Sequence, residues 1–66
     1  MKVFINGHER ICSANLTIYS LLIELEQVNK RIAVEINGEI VSRCHFKNTL
    51  VINGDKIEII NAVGGG

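Results

Sequence analysis

The residues able to do chemistry in this chain are few, and the most distinctive stand together. Ala62-Val63-Gly64-Gly65-Gly66 runs straight out of an apolar segment, with no charged or bulky side chain to close it. Glycine costs more backbone entropy to order than any other residue and brings no side chain to pack, so such a run adds nothing to the stability of a fold. What it offers is access. A glycine strip is narrow, has no Cβ to clash, and takes whatever dihedrals a tight channel in another protein demands. It can carry the carboxylate of Gly66 into a partner's active site. A carboxylate is a poor acceptor, because its charge repels nucleophiles and oxide is a hopeless leaving group. A mixed anhydride with AMP removes both obstacles, and a sulfur nucleophile can then displace AMP to leave a thioester, acyl persulfide or thiocarboxylate. In that scheme the partner supplies the chemistry and uses the ATP, and the chain needs no cofactor of its own. The plain alternative for such a run is a frayed terminus.

The other candidate groups converge less. His8 and Cys12 lie four apart on a segment that reads as a strand, which separates them by roughly 13 Å, too far to share one metal without a third element between them. Cys44-His45 is adjacent and nonspecific. With no C-x-x-C and no four-ligand spacing, no metal site is expected. The two cysteines, Cys12 and Cys44, are too few for a disulfide scaffold. They read as small half-buried thiols, since free cysteine packs as a hydrophobe. A sulfur-handling thiol would need an exposed, electropositive setting. No nucleophile, base and orienting acid stand out, and the terminal glycines have no following helix to make a phosphate loop. An independent enzyme is not expected.

Seven basic and seven acidic side chains balance to zero formal charge, and Lys30-Arg31 is the one adjacent basic pair. Nucleic-acid binding rests on neutralising phosphates with a basic stripe, which this chain lacks. Its apolar stretches are too short to span a bilayer, and Met1 leads into an alternating run with no basic region and apolar core of a secretory signal. A cytoplasmic location is the expectation.

The elements that must position Gly66 follow from periodicity. At 66 residues, 47% hydrophobic and without proline, the chain reads as one small folded domain. Residues 2–6 alternate with period two, Asn6-Gly7 is a strong hairpin signal, and residues 8–13 can run back as the partner strand. Ile18, Leu21, Leu22, Leu25 and Val28 recur at spacings of three and four, the stripe of an amphipathic helix, with Thr17 as its N-cap and Glu24 and Glu26 toward solvent. Period two returns through Ala33-Val34-Glu35-Ile36, turns at Asn37-Gly38 and resumes at Ile40-Val41. Residues 42–48 read as polar and irregular. Asn53-Gly54-Asp55 then turns the chain into Lys56-Ile57-Glu58-Ile59-Ile60. The Asn-Gly pairs are unequally spaced and separate unlike segments, so they are independent turns and not a repeat.

This order predicts an α+β domain over residues 1–60, a mixed sheet of four to five strands on one helix in the β-grasp outline, followed by a tail over 61–66. Val3, Ile5, Ile11, Val34, Ile36, Ile57 and Ile59 should face inward against Ile18, Leu21, Leu22 and Leu25. The same alternation sends Phe4 and Ile60 to the uncovered face. If the first and last strands are neighbours, these two should touch. With Val63 they form the candidate partner-docking surface, and charge reversal nearby at Glu58 should weaken docking.

Taken together, the hairpin at Asn6-Gly7, the helix opening Thr17-Ile18 with Leu21-Leu22, the run Val34-Glu35-Ile36-Asn37-Gly38-Glu39-Ile40-Val41, the run Gly54-Asp55-Lys56-Ile57-Glu58-Ile59-Ile60 and the terminal glycines resemble the ThiS-type sulfur carriers of thiamine biosynthesis, within the ubiquitin-like β-grasp group. The resemblance covers essentially the whole chain. It implies that Gly66 is adenylated by an E1-like adenylyltransferase of the ThiF type and converted to a thiocarboxylate. Sulfur would come from a donor such as a cysteine desulfurase and pass to a thiazole synthase of the ThiG type. It also implies a carrier that acts as co-substrate and not as enzyme, and a carrier that must thread its tail into partners is best served by being a free monomer. Two departures stand out. Many relatives have proline where this chain has Ser42, before Arg43, which alters the stiffness of that turn. Relatives often end in two glycines, which makes Gly64 a spacer before the matching pair Gly65-Gly66. The alternatives are a molybdopterin-synthase-type small subunit, usually longer and with a proline-containing approach to its glycines, and a ubiquitin-like protein modifier or interaction module, whose tail would end on a lysine amine.

Overall fold

The structure, a computed structural model, describes residues 1–61. Its elements in chain order are β1 (Lys2–Ile5), β2 (His8–Ile11), α1 (Ile18–Glu24), β3 (Ile32–Ile36), β4 (Glu39–Val41), a 3₁₀ helix (Arg43–Asn48) and β5 (Lys56–Asn61). The strands form one sheet in the order β2-β1-β5-β3-β4. β1 and β5 run parallel and every other neighbouring pair is antiparallel, so the sheet is mixed, with the last strand at its centre. This is the ubiquitin-like β-grasp architecture.

Turn chemistry explains how so short a chain reaches this topology. Asn6 and Gly7 have φ of 51° and 84°, and Asn37 and Gly38 have 52° and 89°. Positive φ at both central residues is the I′ arrangement, whose twist matches that of the flanking strands, and Asn-Gly enters it at little steric cost. The third pair differs: only Gly54 is left-handed, and Asp55 N donates to Ile52 O at 3.0 Å, the form of a type II turn.

Helix α1 begins where Thr17, in extended conformation, accepts from Ser20 N on its hydroxyl at 3.1 Å. That bond satisfies one of the exposed first-turn amides. The helix closes in a Schellman motif: Gln27 N donates to Leu22 O at 2.8 Å and Glu26 N to Ile23 O at 3.0 Å, with Glu26 left-handed at φ 58°. Ile18, Leu21 and Leu22 are buried, Leu25 and Val28 pack against the core from its edge, and Glu24 and Glu26 are exposed. Across from the helix, Val3, Val34 and Ile57 are buried, while Ile5, Ile36 and Ile59 are half-buried on the same side.

Two expectations are corrected here. Ile11 does not face the helix: it is 73% exposed, because the two-residue turn at Asn6-Gly7 pairs it with Lys2, an outward residue. Since strand side chains alternate, that register fixes Ile11 on the uncovered face. Residues 42–48 are not irregular either. The 3₁₀ helix plants Phe46 in the core, where it meets Cys12, Leu16 and Val51 from the other connections. Ile18 N donates to Thr49 O and Val51 N to Leu16 O, which ties this segment to the start of α1. β5 extends to Asn61, one residue past the boundary read from the sequence.

Candidate functional site: the open sheet face and the end of β5

β5, the strand that leads toward the C-terminus, lies at the centre of the sheet, bonded to β1 on one edge and to β3 on the other. On the β3 side its pairing continues to the end, with Ile60 opposite Ala33 and Asn61 opposite Ile32. On the β1 side the ladder stops early, at Ile57 opposite Ile5. Asn6 takes over from there. Its Oδ1 accepts from Ile59 N at 2.8 Å and its Nδ2 donates to Ile59 O at 3.3 Å.

Of the predicted site residues, Gly64, Gly65, Gly66 and Val63 lie outside the described residues. Phe4 is half-buried on β1 and Ile60 is 47% exposed on β5. Alternation places both on the sheet face away from α1, as expected. They do not touch as expected. The parallel register sets Phe4 beside Lys56, and Ile60 lies four residues further along β5, roughly 13 Å at strand rise. Phe4 instead borders a shallow depression of about 190 Å³ shared with Gly7, Lys56 and Glu58.

Between the two apolar positions the face carries Lys56, beside Phe4, and then a pair of carboxylates. Glu35 and Glu58 sit directly opposite one another in the antiparallel β3·β5 ladder, and the exposed Ile40 follows Glu35 on β4. Cβ atoms of such a pair lie about 5 Å apart, and like charges there oppose folding. Among the described residues the ion pairs are Lys2 with Glu9 and Arg10 with Glu24, both at 3.3 Å, so neither Glu35 nor Glu58 is neutralised by a cation. The face thus presents two carboxylates flanked by Phe4, Ile60 and Ile40. Sequence reasoning named Phe4, Ile60 and Glu58 for this surface but missed Glu35 and Ile40. The signal for them was available: two-residue turns fix hairpin register, and register fixes which side chains share a face.

The remaining candidates separate cleanly. Cys12 is buried and Cys44 exposed, so neither is the half-buried thiol the sequence suggested. Beside Cys44, the Arg43 guanidinium lies 5.9 Å from the Phe46 ring and the Lys47 ammonium 4.7 Å from that of Tyr19. Among the described residues no three His, Cys, Asp or Glu side chains gather as metal ligands, and no helix is long and apolar enough to cross a membrane.

Comparison with known proteins adds four findings. A family model described as the ThiS family matches residues 3–66. The chain is 32% identical over 66 residues to the sulfur carrier protein ThiS of Escherichia coli, covering both completely. It is also 46% identical over 66 residues to a thiazole synthase of Paramagnetospirillum magneticum, but spans only 20% of that protein's length. The fold superposes on the crystal structure of the thiamine biosynthesis protein ThiS from Geobacter metallireducens with a TM-score of 0.87, at 32% identity and with full coverage of both chains.

Proposed function

This chain belongs to the ThiS family, the sulfur carriers of thiamine biosynthesis, and from that premise we propose that the carboxylate of Gly66 is the group that is activated and loaded. The observation that carries this reading is that the family match runs through residue 66, beyond a β5 paired with β3 to Asn61 and held on its other edge by β1 and then by Asn6 as far as Ile59. A central strand is a rigid base, and the sequence beyond it is glycine-rich and narrow. That combination suits delivery of a carboxylate into another protein's active site.

The chemistry follows from the functional group. A Gly66 carboxylate oxygen attacks the α-phosphorus of ATP and expels pyrophosphate, giving an acyl adenylate in the site of an E1-like adenylyltransferase of the ThiF type. A persulfide sulfur then attacks the acyl carbon and AMP leaves, giving an acyl disulfide; a thiol cleaves its S–S bond and departs as a disulfide, so that sulfur replaces one oxygen at the carboxyl terminus. The sulfur derives from a donor such as a cysteine desulfurase, and the thiocarboxylate passes it to a thiazole synthase. The carrier is a co-substrate of these enzymes and holds no cofactor, since ATP binds at the partner. A cytoplasmic setting and a monomeric free state go with this reading. The match to a fifth of a longer thiazole synthase chain supports that enzyme as acceptor, because there a carrier-like segment and the synthase share one polypeptide.

The docking surface in this proposal is the open face, with Phe4 and Ile60 as separate apolar anchors, Val63 beyond them, and the Glu35–Glu58 pair facing a basic patch on the partner. The test is pyrophosphate release by the E1-like enzyme with the intact chain, with a chain lacking Gly66, and with a Phe4→Asp, Ile60→Asp double variant. The intact chain should support release and the shortened one should not. A double variant that stays folded yet is adenylated as fast as the parent removes this face from the proposal.

A further inference from the structure

Asn6 does more than form a turn. Past Ile57, no strand among the described residues lies beside β5 on the β1 side, because β1 ends at Ile5 and the chain swings away through Asn6-Gly7. The N–H and C=O of Ile59 would otherwise point from that edge with no protein partner, next to an open notch of about 220 Å³ lined by Ile5, Asn6, Leu25, Gln27, Ile59 and Asn61. A carboxamide carries an acceptor and a donor side by side, as a peptide group does, and both engage Ile59. The backbone of Asn6 adds a third tie, its N–H donating to Ile57 O at 2.9 Å. One side chain therefore stands in for a missing strand at the point where the chain approaches its C-terminus.

We propose that Asn6 is a positioning residue for loading of the carrier: by replacing the absent strand beside Ile59, it fixes the heading at which the chain leaves the sheet at Asn61. This rests on the reading that Gly66 is adenylated. Gly66 is five residues beyond Asn61, a reach of at most ~17 Å, so the position and heading of the base set the region the carboxylate can search. A base that wanders lowers the fraction of docked carriers whose carboxylate sits in attack geometry, which lowers kcat and leaves docking intact.

The structure supplies its own control at the other end of the strand. Asn37 Oδ1 accepts from Lys56 N and its Nδ2 donates to Asp55 Oδ1, both at 3.0 Å. Asn6→Asp and Asn37→Asp each keep an Asp-Gly turn and an acceptor while losing the donor. Asn37→Asp also sets two carboxylates together, so it should destabilise the fold at least as much. Two readouts separate the roles: kcat and KM for adenylation by the E1-like enzyme, and amide hydrogen exchange along β5.

Asn6→Asp should lower kcat about tenfold with little change in KM, and should speed exchange at Ile59, Ile60 and Asn61 by a similar factor relative to Ile57. Asn37→Asp should leave kcat and exchange at those three residues at the parent's values. Parental kcat in Asn6→Asp, or equal losses of kcat in both variants, would overturn the proposal, as would unchanged exchange at Ile59. If even the parent chain is not adenylated, the function proposed above falls, and exchange alone then decides whether Asn6 holds the end of β5.

Discussion

Asn37 Nδ2 donates to Asp55 Oδ1 at 3.0 Å, joining the turn between β3 and β4 to the turn that launches β5. The other oxygen of that carboxylate accepts from Ile52 N at 2.8 Å, and Asp55 is the one buried charged residue among those described, 7% exposed. Removing a buried acceptor strands its donors, which costs their desolvation as well as the bonds themselves. Asp55→Ala should therefore destabilise the domain by about 2 kcal/mol in urea unfolding. A loss below a few tenths would mean that solvent already competes for these donors.

Glu26 ends α1 in a left-handed conformation, φ 58°, that costs a side-chain-bearing residue roughly 1 kcal/mol. Being exposed, its side chain has little packing to lose. Glu26→Gly should raise the midpoint of denaturant unfolding, against the usual direction for glycine substitutions. A lowered midpoint would show that the carboxylate contributes more than its backbone strain costs.

Glu58 faces Glu35 across the ladder, and reversing its charge should move stability and docking in opposite directions. Glu58→Lys turns a like-charge pair into an opposite-charge one, a gain of a few tenths of a kcal/mol or about 0.5. At the same time it should raise KM for the E1-like enzyme, with the effect shrinking as salt is added. Stabilisation with an unchanged KM would clear the acidic pair of any part in docking.

Phe46 is 4% exposed in the core between the 3₁₀ helix and α1. Phe46→Ala should cost about 3–4 kcal/mol, a loss that a domain this small can barely sustain. Thermal unfolding by circular dichroism reads this directly, and a shift of only a few degrees would indicate that the site collapses around the smaller side chain.

What the sequence made legible and what it hid divide along physical lines. Periodicity carried α1, β1, β3 and β5, because each of those elements buries one face and so writes its spacing into the residues, while β2 and β4 followed from the Asn-Gly turns before them and the cap at Thr17 from its residue type. Phe46, Leu16 and Val51 were hidden, since core residues on short connections follow no period. Ile11 was misplaced by treating its strand's apolar residue as inward when hairpin register from Asn6-Gly7 required the opposite. Phe4 and Ile60 were correctly put on one face but wrongly in contact, because a parallel pairing has no connecting turn to reveal its stagger. The Asn-Gly pairs were legible as turns, but their side chains' second task was not. Asn6, Asn37 and Asn53 each bond the backbone of a strand far away in sequence, at Ile59, Lys56 and Lys2.

Whether Gly66 carries sulfur can be read from the intact mass of the protein. The protein is incubated with ATP, a sulfur donor and its E1-like enzyme, beside a variant lacking Gly66. A gain equal to the exchange of one oxygen for sulfur is expected, confined to the C-terminal peptide and absent from the variant. An unchanged mass, or a C-terminus joined to lysines of other proteins, would contradict it.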